Sequence, residues 1–267
     1  MRAVVSIFID EDLYDAKDTG IVNFQPSATN LYRELKSKII KNHDDYAKSI
    51  GADYFCFQNT RMWQLYVEEM KDMFPNIAMY NYINYYKFYV AEYITRFYDE
   101  VLYIDFDAFF NTKVNFFEVN DLSKLCVKTW DMPAFSESPR DINVGIPKLR
   151  LMKAWYSQQL LELVYNLDVE YVDNFTANTG VFAYNKKIIQ QLNFFETFHE
   201  TIDTIQEYKD DCAEDNEVFF VVAAINNNVP IHSYKHDWNY SPKRKPYESK
   251  ICHFTVKEHM KGFFEES

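Results

Sequence analysis

The sequence predicts an α/β fold, a mixed, mainly parallel sheet flanked by helices. Strand-like and helix-like segments alternate in the order β-α-β-α-β up to Asp105, which favours parallel strands joined by right-handed crossovers. The strongest strand segments are continuous runs of apolar and aromatic residues, the pattern of strands covered on both faces. The 267 residues are 48% hydrophobic, enough to bury a sizeable core within one domain.

The elements follow in order. Residues 3–9, Ala-Val-Val-Ser-Ile-Phe-Ile, form the first strand, and a polar loop containing Gly20 and Pro26 comes next. A helix starts after Ser27-Ala28-Thr29, with Leu31, Leu35, Ile39, His43, Tyr46 and Ile50 near helical spacing. Gly51 is placed to end it in a left-handed turn. Residues 53–57 are the second strand; residues 62–70 are helical, Pro75 breaks the pattern, and residues 79–97 form a longer helix. A third strand then runs into Asp105. In the second half, residues 116–119 and 126–128 read as short strands, followed by a Pro-rich loop over 132–147 and a helix over 149–166. Residues 178–184 read as a strand with Gly180 near its start. Helices over 186–208 and 215–226 and strands over 229–234 and 251–255 complete the chain. Nothing in the sequence repeats, so residues 1–267 are expected to form a single domain.

Forty acidic against 28 basic residues give a formal net charge of −12, which argues against a nucleic-acid partner bound along the whole surface. The basic run Lys243-Arg244-Lys245 reads as a solvated loop. Cys56, Cys126, Cys212 and Cys252 are scattered without a C-x-x-C pair, the pattern of reduced thiols. The apolar run at 3–9 is too short for a secretory leader, and no stretch approaches a membrane span. The expectation is a soluble, cytoplasmic protein. Only 5 glycines against 21 tyrosines points to AT-rich codons.

One segment carries most of the chemistry. Val101-Leu102-Tyr103-Ile104 leads directly into Asp105-Phe106-Asp107. A buried strand that frays into two carboxylates puts them at the edge where open α/β sheets bind ligands. Paired carboxylates on an extended backbone suit a hard divalent cation that also holds a diphosphate. Four further features accompany it: Lys87 on the preceding helix, Asn178-Thr179-Gly180, the acidic helix start Glu214-Asp215-Asn216-Glu217, and His253-Phe254.

Taken in this order, from Lys87-Phe88 through Asp99-Glu100-Val101-Leu102-Tyr103-Ile104-Asp105-Phe106-Asp107 to His253-Phe254, the features resemble the GT-A glycosyltransferases, and most closely the glycogenin-like branch, glycosyltransferase family 8. The resemblance spans nearly the whole chain. It implies a nucleotide-binding half over about 1–110 and an acceptor half over about 111–267. It also implies Mn²⁺ or Mg²⁺ held by Asp105, Asp107 and His253 against the diphosphate of a nucleotide-sugar, most simply a UDP-sugar. Phe8, Ile9, Asp10 and Tyr14 would meet base and ribose, with Phe106 beside them. Lys87 would contact phosphates or sugar, and Asn178 and Gly180 would line the sugar pocket. Asp215 and Glu217 would be the catalytic carboxylates, and the acceptor a glycan, glycolipid or protein.

The sequence also departs from that family. Its late motif continues after His-Phe with a glycine and a Lys-Pro-Trp, whereas this chain reads Thr255-Val256-Lys257-Glu258, and the acidic helix start is not Asp-Gln-Asp. Two alternatives stand beside the resemblance. A haloacid-dehalogenase-type phosphatase would use Asp105 as nucleophile and Asp107 as acid/base. A non-catalytic relative would bind nucleotide-sugars or glycans without turnover.

Overall fold

The computed structural model describes residues 1–10, 27–136, 138–139, 147–167, 174–208, 213–240, 248–254 and 259–264. Tyr14, Cys212, Lys243-Arg244-Lys245 and Lys257 lie outside them. The strands are β1 (Arg2–Ile7), β2 (Asp53–Phe57), β3 (Glu100–Ile104), β4 (Ala108–Phe110), β5 (Leu125–Asp131), β6 (Phe175–Asn185), β7 (Ile231–Ser233) and β8 (Ile251–His253). The helices are α1 (Ser27–Ser49), α2 (Arg61–Met73), α3 (Met79–Ile94), α4 (Phe116–Val119), α5 (Lys148–Leu163), α6 (Lys186–Leu192), α7 (Phe194–Gln206), α8 (Asn216–Asn226) and α9 (His259–Phe264).

Six strands form one sheet in the order β2-β1-β3-β6-β5-β7, and β4 pairs with β8 in a second, two-stranded sheet. β6 runs antiparallel to both β3 and β5, while the other pairs of the large sheet are parallel. The sheet is therefore mixed and mainly parallel, as expected. From β1 the chain crosses to β2 on one side and, through α2 and α3, to β3 on the other. The carboxyl ends of β1 and β3 thus meet at a topological switch point, where open α/β sheets place ligands.

Alternation along the strands divides the core. Val5, Ile7, Val101, Tyr103 and Phe182 face a layer drawn from α2, α3 and α5 to α8. Val4, Leu102, Ile104, Val181 and Ala183 face α1, α4 and Trp238. Each of the valine, leucine and isoleucine side chains among these contributes about 1.5–3 kcal/mol when fully buried. Gly51 ends α1 with φ +68°, the left-handed conformation that glycine adopts without a Cβ penalty.

Several elements differ from expectation. Residues 116–119 are helical, because the Asn115 side chain accepts from Phe117 N and caps a short turn. The helix expected over 186–208 is two helices, broken at Asn193 with φ 46°, a conformation that asparagine tolerates. Gly180 lies in the middle of β6, which is longer than expected. β4 and α9 were not foreseen.

β6 also carries an irregularity that shapes the site. Cys126 and Val127 pair with Ala183 and Phe182, but Lys128 pairs with Asn178. The residues between, Thr179 to Val181, bulge out of the β5 ladder while Val181 stays paired with Ile104 of β3. The bulge resets side-chain alternation, so Ala177 and Phe182 both join the same core layer despite their odd spacing.

Candidate active site

Asp105 follows the last residue of β3, and its N–H donates to the Gly180 carbonyl at 2.7 Å. A tight turn, closed by Ala108 N to Asp105 O, brings Asp107 round beside it and opens β4. β8 pairs antiparallel with β4, so that His253 sits opposite Ala108. One ligand atom each from Asp105, Asp107 and His253 lies within 4.8 Å of the other two. Asp107 and His253 are buried, and Asp105 is partly exposed.

Neighbours hold each group in place. Tyr103 donates to Asp105 Oδ1 at 2.8 Å, and the Lys87 ammonium reaches the same oxygen at 3.2 Å. Tyr32 donates to Asp107 Oδ2 at 3.3 Å. Burial first, and the aspartates next, push the pKa values of both phenols up, so both stay protonated donors. His253 Nε2 lies 3.2 Å from Asp107 Oδ1.

The tautomer of His253 follows from a chain of amides. Gly180 N donates to Asn178 Oδ1, so that atom is an acceptor. It also accepts from Asn239 Nδ2 at 2.8 Å, which fixes Asn239 Oδ1 as the acceptor facing His253 Nδ1 at 3.0 Å. Nδ1 therefore carries a proton, and Nε2 is the ring atom left to ligate, facing the aspartates. Two carboxylates and an imidazole nitrogen are a donor set for a cation such as Mn²⁺. Gly180 completes the cradle: a Cβ there would sit 2.2 Å from His253 Cε1 and 2.9 Å from Asp105 Oδ2. These residues fit a divalent metal, and only glycine fits beside it.

On the other side of Gly180, Asp215 caps α8 by accepting from Glu217 N. Lys153 of α5 reaches Asp215 Oδ2 at 2.8 Å and Glu217 Oε2 at 2.6 Å. Glu217 Oε1 accepts from Thr179 N at 3.1 Å, and Asn216 donates to Thr179 Oγ1 at 2.6 Å. Lys153 is buried; burial alone would lower its pKa, yet the two carboxylates outweigh that and raise it, so it stays charged.

The structure thus brings together Lys87, Asp105, Asp107, Asn178, Gly180, Asp215, Glu217 and His253. The Phe8 and Phe106 rings meet at a tilt of 36° with centroids 4.7 Å apart, and Lys36 Nζ lies 4.5 Å over the Phe8 ring. Ile9 is buried, and Asp10 pairs with Arg33 at 2.6 Å at the end of β1. Tyr32, Lys153 and Asn239 were not foreseen, and Thr179 and Asn216 had no role of their own within the motifs that contain them. Asn216 stood inside the acidic stretch, where a polar residue at a helix start was a usable signal. Asn239 had none, because only the return of β8 gives it a role.

No protein-family model and no curated protein sequence matches the chain. Solved structures do. The galactosyltransferase LgtC, in complex with donor and acceptor sugar analogues, superposes with a TM-score of 0.54 at 12% identity, covering 97% of this chain and 94% of that one. An active-site mutant of LgtC gives 0.50 at 13% identity, covering 98% and 95%. The chain has the GT-A glycosyltransferase fold. Mouse xyloside xylosyltransferase 1, in its apo form, matches at 0.49 and 11% identity over 96% of this chain and 98% of that one. Within the GT-A fold, the candidate centre lies at the carboxyl end of β3, where the sequence placed it.

Proposed function

We propose that this protein is a metal-dependent glycosyltransferase. It moves a sugar from a nucleotide-sugar donor, a UDP-sugar in the simplest form, to a glycan, glycolipid or protein acceptor. The observation that carries this reading is the convergence of Asp105, Asp107 and His253 Nε2 beside a glycine that no larger residue could replace. The fold, shared with solved glycosyltransferases, supports it.

In this reading Asp105, Asp107 and His253 hold Mn²⁺ or Mg²⁺, which when bound stabilises the charge that builds on the leaving diphosphate. Lys87 and Tyr103 fix the Asp105 carboxylate, and Lys87 adds positive charge on the phosphate side. Phe8 and Phe106, at the ends of β1 and β3, form the wall for the base, with Ile9, Asp10 and Tyr14 as further contacts. Asn178 and Gly180 line the sugar. Asp215 and Glu217, partly exposed beside Thr179, are the carboxylates placed to meet the reacting sugar or the acceptor hydroxyl. The first part of the chain, to about residue 110, serves the nucleotide and the remainder the acceptor. A phosphatase nucleophile at Asp105 is disfavoured by crowding: one oxygen is taken by Tyr103 and Lys87 while the other faces His253 and Gly180.

The test is thermal unfolding with UDP-, GDP- and CMP-sugars, with and without Mn²⁺, on wild type and Asp107→Ala. A nucleotide-sugar at 100 times its Kd adds about 2.7 kcal/mol. The expected result is a metal-dependent rise for one nucleotide that vanishes in the variant. No rise with any of them sinks the reading.

A further inference from the structure

Beyond the candidate metal centre, a groove of about 590 Å³ opens at the far end of β5, within the size range of small-ligand sites. Lys128, Trp130 and Asp131 of β5 line it, with Arg150 from the first turn of α5 and Ser233 of β7. The Arg150 guanidinium stacks on the Trp130 ring at 3.6 Å, and Lys128 Nζ lies 5.7 Å from the same ring. Stacking occupies a face of the guanidinium and leaves its N–H donors directed outward in the plane, the geometry that grips a carboxylate or phosphate in two places.

The charge around this groove runs against what the fold alone would choose. The N-terminus of α5 has no acidic residue in its first turn, although that end of a helix favours negative charge. It carries Lys148 and Arg150 instead. Among the described residues, no carboxylate forms an ion pair with Lys128 or Arg150. The nearby His236 has its pKa lowered, by burial first and then by Lys128 and Arg150. Asp131 lies on the rim, and Glu217, already held by Lys153, is close enough to act on Arg150. A positive pocket on a chain with a net charge of −12 is a local arrangement and not a consequence of composition.

The groove also joins the candidate centre at two points. Lys128 is the ladder partner of Asn178, whose side chain leads through Asn239 to His253. Arg150 stands i, i+3 from Lys153, on the same side of α5, and Lys153 holds Asp215 and Glu217. With about 3.3 Å per strand residue, Lys128 to Asp131 spans about 10 Å, room for a disaccharide.

We propose that this groove is the acceptor subsite and that the acceptor is an anionic saccharide, its phosphate or carboxylate held by Arg150 and Lys128. This rests on the glycosyl-transfer reading but is tested apart from it. Wild type, Arg150→Ala and Lys128→Gln are titrated calorimetrically with lactose, 3′-sialyllactose and lactose 6-phosphate, in Mn²⁺ and UDP. The expected result is that a charged probe binds about tenfold or more tightly than lactose, as a charge-assisted bidentate contact allows. Arg150→Ala removes that preference, Lys128→Gln reduces it, and the UDP-dependent thermal shift of both variants matches wild type. The carboxylate and phosphate probes tell which anion is preferred. Equal binding of charged and neutral probes, binding of none, or a preference that survives Arg150→Ala overturns the proposal. If UDP gives no shift while a charged probe still binds through Arg150, the donor reading fails and the anion site stands.

Discussion

Two sets of carboxylates flank the Thr179-Gly180 step, and they are satisfied differently. Asp215 and Glu217 share the ammonium of buried Lys153 at 2.8 and 2.6 Å, and one of them also caps α8. Asp105 and Asp107 instead converge on a common point with the His253 imidazole, and their nearest ammonium, Lys87, is 3.2 Å from one oxygen. At roughly 4 Å and an effective dielectric of about 20, two like charges repel by about 4 kcal/mol. The first set has its counter-ion built in. In the second the ammonium reaches Asp105 alone, and the three groups keep the geometry of a candidate cation site.

The comparison is sharpest when each side loses its partner. Lys153→Ala leaves Asp215 and Glu217 facing each other in a mostly buried site, and removing one partner of a buried ion cluster costs about 3–5 kcal/mol. Urea unfolding should show that loss, while Mn²⁺ binding by the folded fraction stays near wild type. A variant as stable as wild type would mean that the ion cluster is not structural.

Acid reaches the aspartate side through His43. This ring is fully buried, bonded to the Ala108 carbonyl at 2.7 Å, and its pKa is lowered to about 4, mainly by burial. The unfolded chain binds this proton near pH 6.5 and the native state does not, so stability falls as pH drops from about 6.5 to 4. The integrated loss is about 3 kcal/mol. Thermal midpoints across that window should flatten in His43→Gln; an unchanged slope assigns the acid sensitivity to other groups.

Gly180→Ala probes the seam between the two sets. Its Cβ would lie 2.2 Å from His253 Cε1, so either the ring or the bulge must move. Overpacking of this kind costs about 1–3 kcal/mol. The variant should lose Mn²⁺ affinity by more than its stability loss suggests, because His253 is the atom set displaced. Undisturbed Mn²⁺ binding would separate Gly180 from the metal.

The sequence made one side of this comparison far more legible than the other. Val101 to Asp107 announced itself, because an apolar strand ending in two carboxylates has few other uses. Tyr103 could have been read as well, since i, i+2 spacing puts it on the same side of β3 as Asp105. Lys153 could not. It sits in a helix like any other lysine, and its role appears only when α5 packs against α8. Residues 116–119 look like a strand because aromatic and β-branched residues favour one; a local hydrogen bond from Phe117 N to the Asn115 side chain overrides that preference. Apolar periodicity likewise ran through Asn193, where a left-handed residue divides the helix. Long-range returns and single polar contacts are what pattern alone does not carry.

The return of β8 also has a meaning in time. Asp105 and Asp107 leave the ribosome more than half a chain before His253, which at about 5–20 residues per second is a wait of roughly 7–30 s. During that wait the central strands can pair, but the imidazole that completes the cluster does not yet exist. Asp105 and Asp107 can therefore take their places beside β3 before the third group of the candidate cluster is made.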